Sequence, residues 1–171
     1  RQYVDIARDI TDTCKALFAD WKSKSYETSL LLQQSILGPP MINGDTMPPP
    51  PYFVNFSPKL VEFIRETKYL DRMGHTVPEA ALNVTLQEDK YNEHVLALKS
   101  MLCNYENIIN MLRPAEKKLL RKRLKDLQNV LKQGFDPCNW CSLHIDTLIE
   151  RCTQAITEFQ SVVSQIHKSS M

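Results

Sequence analysis

Apolar residues along this chain recur in steps of three and four, the spacing that lines one face of an α-helix. From Gln2 to Ile36 the stripe is Tyr3, Ala7, Ile10, Cys14, Leu17, Trp21, Thr28 and Leu31, with Lys24 as its one charged member. Such a heptad-like face predicts a first helix that packs against others, and the odd Lys24 suggests that it packs on something outside these residues. Gly38-Pro39-Pro40 ends it, because proline lacks the amide hydrogen and clashes with the preceding turn. Residues 38–57 then read as a proline-rich linker, with Pro48 to Pro51 as stiff polyproline II. Within it Tyr52-Phe53-Val54-Asn55-Phe56 suits a short extended segment.

Helical periodicity resumes at Ser57-Pro58, a capping hydroxyl followed by proline at the first helical position. The second helix carries Leu60, Val61, Phe63, Ile64, Tyr69 and Leu70 and ends near Gly74. A third and longest helix is expected from Glu79 to Leu112, on the seam Val84, Tyr91, Val95, Leu98, Leu102, Tyr105, Ile109 and Leu112. A fourth starts at Pro114 with Leu120, Leu124, Leu127 and Leu131, capped by Gly134, and Asp136-Pro137 makes a turn. A fifth, from Ser142 to His167, carries Ile145, Leu148, Ile149, Cys152, Ile156, Phe159, Val163 and Ile166. Short connections between successive helices imply antiparallel neighbours. The expected fold is all-α, an elongated antiparallel bundle of about five helices with a proline-rich loop after the first. Its divisions are an N-terminal helix (1–37), a linker (38–57) and a bundle (58–171).

Composition narrows the function. A net charge of +1 gives no global attraction to nucleic acid or anionic membrane, so neither is expected as a partner. No apolar run approaches the length of a membrane span. Arg1 replaces an initiator Met and no signal-peptide core follows, so the chain reads as a piece of a longer polypeptide. The four glycines are isolated, which excludes a phosphate-cradling loop in this segment. Of five cysteines, Cys14, Cys103 and Cys152 fall on helix faces beside apolar residues, as reduced core thiols would.

Two groups invite chemistry. Cys138-Asn139-Trp140-Cys141, with His144 and Cys152, offers zinc ligands, but tetrahedral zinc usually takes two ligand pairs and no second pair exists. The plainer reading is a helix-entry turn whose cysteines are small apolar groups around an anchoring Trp140. No metal, cofactor or catalytic residue is therefore assigned. The second group is basic: Arg113, Lys117, Lys118, Arg121, Lys122, Arg123 and Lys125 against Glu116 and Asp126. It reads as the solvated face of an amphipathic helix, and if it has a function, as a contact for an acidic protein partner. Lys117, Lys118, Arg121, Lys122 and Lys125 are the candidate contact face.

Several blocks resemble one family. Val54-Asn55-Phe56-Ser57-Pro58-Lys59-Leu60-Val61-Glu62-Phe63-Ile64-Arg65-Glu66-Thr67-Lys68-Tyr69-Leu70 is similar to the N-terminal stem of dynein heavy chains, followed at the family's distance by Val77-Pro78-Glu79-Ala80-Ala81-Leu82-Asn83. Tyr105-Glu106-Asn107-Ile108-Ile109, and Gly134 followed by Trp140 and Ile145, continue the pattern in order. The resemblance covers nearly the whole chain, the proline loop least well. Ser57 stands where aspartate is usual, which preserves the cap, and Cys138 and Cys141 are not family hallmarks. The Glu79–Asn83 block resembles axonemal more than cytoplasmic dyneins.

The resemblance implies a non-catalytic scaffold within an ATP-driven microtubule motor, located in the cytoskeleton of cytoplasm or of the ciliary or flagellar axoneme. ATP and magnesium would be used in the motor ring, outside these residues. Implied partners are intermediate and light chains, other heavy chains and docking proteins, with microtubules reached through the full chain. Without the resemblance, the residues stop at a helical adaptor of some cytoskeletal or trafficking complex.

Overall fold

A computed structural model describes residues 2–38, 53–132 and 138–169. It is all-α apart from a two-residue strand pair. Among the described residues the elements are α1 (Gln2–Ser29), a 3-10 helix (Leu30–Gln33), β1 (Leu37–Gly38), β2 (Phe53–Val54), α2 (Pro58–Arg72), α3 (Glu79–Leu86), α4 (Glu88–Met111), α5 (Pro114–Leu119), α6 (Arg121–Lys132) and α7 (Ile145–Ser169). The expected polyproline stretch, the Gly134 cap and the Asp136-Pro137 turn lie outside the described residues. The chain divides into two compact units, one of residues 1–31 and 57–89, the other of residues 32–56 and 90–171.

In the first unit α1 packs on both α2 and α3, and α2 packs on α3. Serine and threonine are tolerated along α1 because their hydroxyls bond back to carbonyls of the preceding turn, as Thr11 Oγ1 does to Ala7 and Thr13 Oγ1 to Asp9, both at 2.8 Å. Ser57 caps α2 through its side chain, which accepts from the Lys59 amide at 3.3 Å, with Pro58 in the first turn. Beneath α2 lie Leu60, Phe63, Ile64 and Thr67, all buried, and the Thr67 hydroxyl donates to the Phe63 carbonyl at 2.7 Å. Gly74 closes the helix at φ +88°, a conformation that side-chain-bearing residues rarely adopt. Val77, Ala81 and Val84 complete this core, and Lys68 pairs with Glu88.

The second unit is organised around α4, α6 and α7. Its core holds Leu98, Met101, Leu102 and Tyr105 of α4, Leu127 and Leu131 of α6, and Ile145, Leu148, Cys152, Ile156, Phe159 and Val163 of α7. His94 is buried and its Nε2 meets Asp146 Oδ1 at 2.7 Å, joining α4 to the first turn of α7.

Four of the expected helices depart from expectation. The first helix does not reach Ile36: it stops at Ser29, tightens into the 3-10 turn and becomes extended at Leu37. Leu32, Ile36 and Leu37 are buried there, and their backbone groups bond to distant segments instead of continuing the helical ladder. The long third helix is broken at Gln87, where the backbone turns (φ −97°, ψ 9°). Val84 belongs to the first unit and Tyr91 to the second, so one sequence seam serves two cores. The fourth helix is distorted at Leu120, but that residue still accepts from the Leu124 amide at 2.8 Å, so the chain continues in helical sense. The fifth begins at Ile145 rather than Ser142.

Candidate functional site

The Cys138–Cys141 turn forms a knot in the second unit. Asn139 Oδ1 accepts from the Cys141 amide at 2.9 Å, and the Asn139 amide donates to Ser142 Oγ at 3.0 Å, which bends the chain into α7. Two remote segments, residues 32–36 and 55–56, meet on this turn. Ser35 bridges to Asn139, the Ile36 amide donates to the Cys138 carbonyl at 3.3 Å, and the Trp140 amide donates to the Leu32 carbonyl at 3.0 Å. The Trp140 indole N–H donates to the Asn55 carbonyl at 2.9 Å, and its ring meets Phe56 edge to face at 5.0 Å. Asn55 in turn reaches back, its amide to the Ile36 carbonyl at 2.9 Å and its Nδ2 to the Ser35 carbonyl at 3.0 Å. The antiparallel pairing of Leu37 with Val54 and Gly38 with Phe53 adds a further tie between these two segments.

Trp140 is thus the buried anchor that the sequence suggests. The cysteines beside it are not both buried: Cys138 is half-buried and Cys141 exposed. All five cysteines are free thiols, and Cys14 and Cys103, expected in the core, are exposed. Cys14 sits beside Ile10 and Leu17 on α1, whereas the helical neighbours of Cys103 on α4 are Lys99, Ser100, Glu106 and Asn107, so Cys103 lies on a solvated face. Cys152 is buried, and loss of water around its sulfur pushes its pKa up to about 11. Among the described residues no group of three or more His, Cys, Asp or Glu side chains is placed to share a metal ion. His144 is exposed and accepts, through its carbonyl, from the Leu148 amide in the first turn of α7.

The basic residues are brought onto α5 and α6, where Lys117, Lys118, Arg121, Lys122 and Lys125 are all exposed. Leu120, Leu127 and Leu131 turn the other way into the core, and α6 packs on α7. None of the five cations is ion-paired among the described residues. Glu116, the acidic residue just before them, is engaged elsewhere. Its Oε2 accepts from His167 Nε2 at 3.0 Å and from the Arg113 amide at 3.3 Å. The His167 hydrogen bond, helped by the Arg113 amide and the two positive charges, holds the Glu116 carboxyl below the usual carboxylate range against the opposing effect of partial burial. Glu116 is therefore tied to α7 and to the start of α5, which leaves the exposed Asp126 as the acidic residue nearest the cationic face on α6.

A third surface was not singled out in the sequence. In the first unit Phe18 stacks on His75 at 4.7 Å and Trp21 on Phe63 at 5.4 Å, while the Trp21 indole N–H donates to Glu66 Oε2 at 2.8 Å. Beside this ladder lies an open apolar groove of about 560 Å³ lined by Cys14, Leu17, Tyr69, Leu70 and Met73 among others. Its signal was present in the α1 seam, but the seam was read as buried. Among the described residues no helix is long and apolar enough to cross a membrane.

Two helical cores, a knotted entry turn and exposed contact faces define an all-helical module. Residues 1–148 match the family described as dynein heavy chain, N-terminal region 1. The chain is 49% identical over 117 residues, 68% of its length, to the dynein-1-alpha heavy chain of the flagellar inner arm I1 complex of Chlamydomonas reinhardtii. It is 45% identical over 119 residues, 70% of its length, to human dynein axonemal heavy chain 10. Mouse dynein axonemal heavy chain 8 aligns over 98% of the chain at 25% identity. The chain belongs to the dynein heavy chain family and corresponds to part of its N-terminal region. It spans only 2% to 3% of the length of these relatives.

Proposed function

We propose that this chain is a non-catalytic stem segment of an axonemal dynein heavy chain, a scaffold for subunit assembly and docking that transmits force in a microtubule motor of cilia or flagella. The observation that carries this reading is the continuous family match over residues 1–148 together with axonemal relatives at 49% and 45% identity. In this reading the residues hold no cofactor, and ATP with its magnesium is turned over elsewhere in the heavy chain. Helical packing within each unit suits the task because bending a packed bundle requires buried apolar contacts to separate. The partners are dynein intermediate and light chains, other heavy chains or axonemal docking proteins. Lys117, Lys118, Arg121, Lys122 and Lys125 offer five unpaired cations on one helical face, which supports contact with an acidic protein surface.

The test is capture of dynein subunits from a salt extract of axonemes on the immobilised chain, compared with a variant carrying Lys117→Glu, Lys118→Glu, Arg121→Glu, Lys122→Glu and Lys125→Glu. Retention of intermediate or light chains by the parent is expected. Retention that falls in the variant, at unchanged helicity, supports the basic face as the contact. A parent that retains no dynein subunit overturns the scaffold reading, and equal retention by both removes the basic face from it.

A further inference from the structure

The cations of α5 and α6 are spaced as rows. Lys117, Arg121 and Lys125 stand four residues apart, and so do Lys118 and Lys122. Side chains at this spacing lie one above the other on a helix, so each row climbs about 6 Å per step. The helical sense carries across the junction of the two helices. There the Leu120 amide donates to the Glu116 carbonyl at 2.9 Å, and the Leu124 amide to the Leu120 carbonyl at 2.8 Å. Three exposed cations therefore span about 12 Å along one line, with two more beside them.

The surroundings of these rows narrow the ligand. A folded partner usually covers about 800 Å² on each side, centred on apolar contacts. Among the described residues Leu119 is the one exposed leucine of α5 and α6, while Leu120, Leu127 and Leu131 are buried, so the rows lack such a centre. Residues 113–126 hold no aromatic side chain on which a nucleobase could stack. The start of α5 offers little to a phosphate, because Pro114 has no amide hydrogen and the Arg113 amide is taken by the Glu116 carboxylate at 3.3 Å.

An extended polypeptide matches the spacing. Side chains on one face of a strand recur every second residue, about 6.8 Å apart, close to the 6 Å step of the rows. Glutamates at alternate positions of a segment laid along the helix would stand opposite Lys117, Arg121 and Lys125 in turn. The flexible four-carbon lysine stems take up the small mismatch. We propose that the face formed by α5 and α6 binds an extended, glutamate-rich polypeptide segment running along the row of Lys117, Arg121 and Lys125. This deepens the scaffold reading above and rests on it, narrowing the acidic partner to an unfolded acidic tract. Asp126, next to Lys125 and exposed, opposes such a ligand.

The experiment titrates a capped peptide of alternating glutamate and serine, about ten residues long, into the complete isotope-labelled chain and follows amide NMR signals at roughly 50 mM salt. Exposed ion pairs are each weak, so a roughly millimolar dissociation constant is expected, with shifts confined to α5 and α6. Binding should weaken at least about tenfold in roughly 0.5 M salt. Lys117→Glu, Arg121→Glu and Lys125→Glu together should abolish the shifts. Lys22→Glu, Lys59→Glu and Lys90→Glu together, the same change of net charge at other exposed lysines, should leave them. Asp126→Asn should tighten binding about two- to threefold. The proposal is overturned by an absence of shifts in α5 and α6 at roughly 10 mM peptide, or by equal weakening in the two triple variants. Tighter binding at these residues by a thymidine oligonucleotide, or by an alanine-rich helical peptide with its glutamates in one row, also overturns it. Subunit capture is scored separately. A chain that captures no dynein subunit fails the scaffold reading and leaves the titration standing, and a failed titration leaves capture standing.

Discussion

Replacing Trp140 by alanine tests whether the knot holds the second unit together. The side chain is only 3% exposed, so truncation removes a large buried ring and leaves a cavity, at roughly 3 to 5 kcal/mol. The Asn55 carbonyl also loses its indole donor, at roughly 1 to 3 kcal/mol for a buried acceptor left unsatisfied. Together these approach the whole stability of a small domain, roughly 5 to 15 kcal/mol. Trp140→Phe separates the two contributions: it keeps an aromatic ring against Phe56 and loses the indole N–H, so its cost should be about 1 to 3 kcal/mol. Urea unfolding followed by circular dichroism at 222 nm measures both variants, and Trp21, the remaining tryptophan, reports on the first unit by fluorescence. Packing should dominate hydrogen bonding here. A Trp140→Ala cost under about 1.5 kcal/mol, or equal costs for the two variants, would refute that reasoning.

The other expectations concern single groups. Glu116 has its folded-state pKa held below the usual value of 4.5, so its stabilising effect is complete above pH 4.5 and is lost as pH falls through the folded value. Carbon-detected NMR should therefore show Glu116 titrating below 4.5, and Glu116→Gln should lose the acid-dependent part of stability between those two values. Cys14, Cys103 and Cys141 should react promptly with an aromatic disulfide reagent in the native protein and Cys138 more slowly, while Cys152 waits for unfolding. Prompt reaction of Cys152 would contradict its burial. Gly74→Ala should lower stability by about 1 to 2 kcal/mol through strain at positive φ alone, because a methyl group there meets nothing within 4 Å. An unchanged melting temperature in that variant would show that the turn relaxes.

What the sequence made legible follows from how local each signal is. Ser57-Pro58 marks a helix start because both the cap and the fixed φ act within three residues, and the structure begins α2 there. The α4, α6 and α7 seams are legible because each helix buries one stripe along its whole length. The stop at Ser29 was not. It depends on Leu32, Ile36 and Ser35 finding backbone partners in residues 138–140 and 55, a hundred or twenty residues away. The run Leu30-Leu31-Leu32, followed by Ile36-Leu37, held a hint, since it is apolar on more than one helical face and suits a segment buried all round. The break at Gln87 has a related cause: an unbroken seven-residue spacing from Val84 to Tyr91 cannot tell one core from two.

The misread cysteines lead to a sharper point. Cys14 and Cys152 occupy the same kind of position, small and apolar on an amphipathic face, yet only Cys152 is buried, while Cys103, beside Leu102 in sequence, falls among Lys99, Ser100, Glu106 and Asn107 on the helix. Periodicity records what a helix is built to bury, and says nothing about whether the partner lies in the same stretch of chain. For Cys152 the partner is present: α7 lies against α6, and the thiol approaches the Val130 carbonyl at 3.8 Å. For Cys14 the surrounding seam is equally regular and its flanks are free of charge, but the groove it lines with Tyr69 and Met73 stays open. An exposed stripe that keeps heptad spacing while Asp5, Arg8, Asp9, Asp12 and Lys15 all lie on the opposite side has a cost in water that a solvated helix surface would not carry.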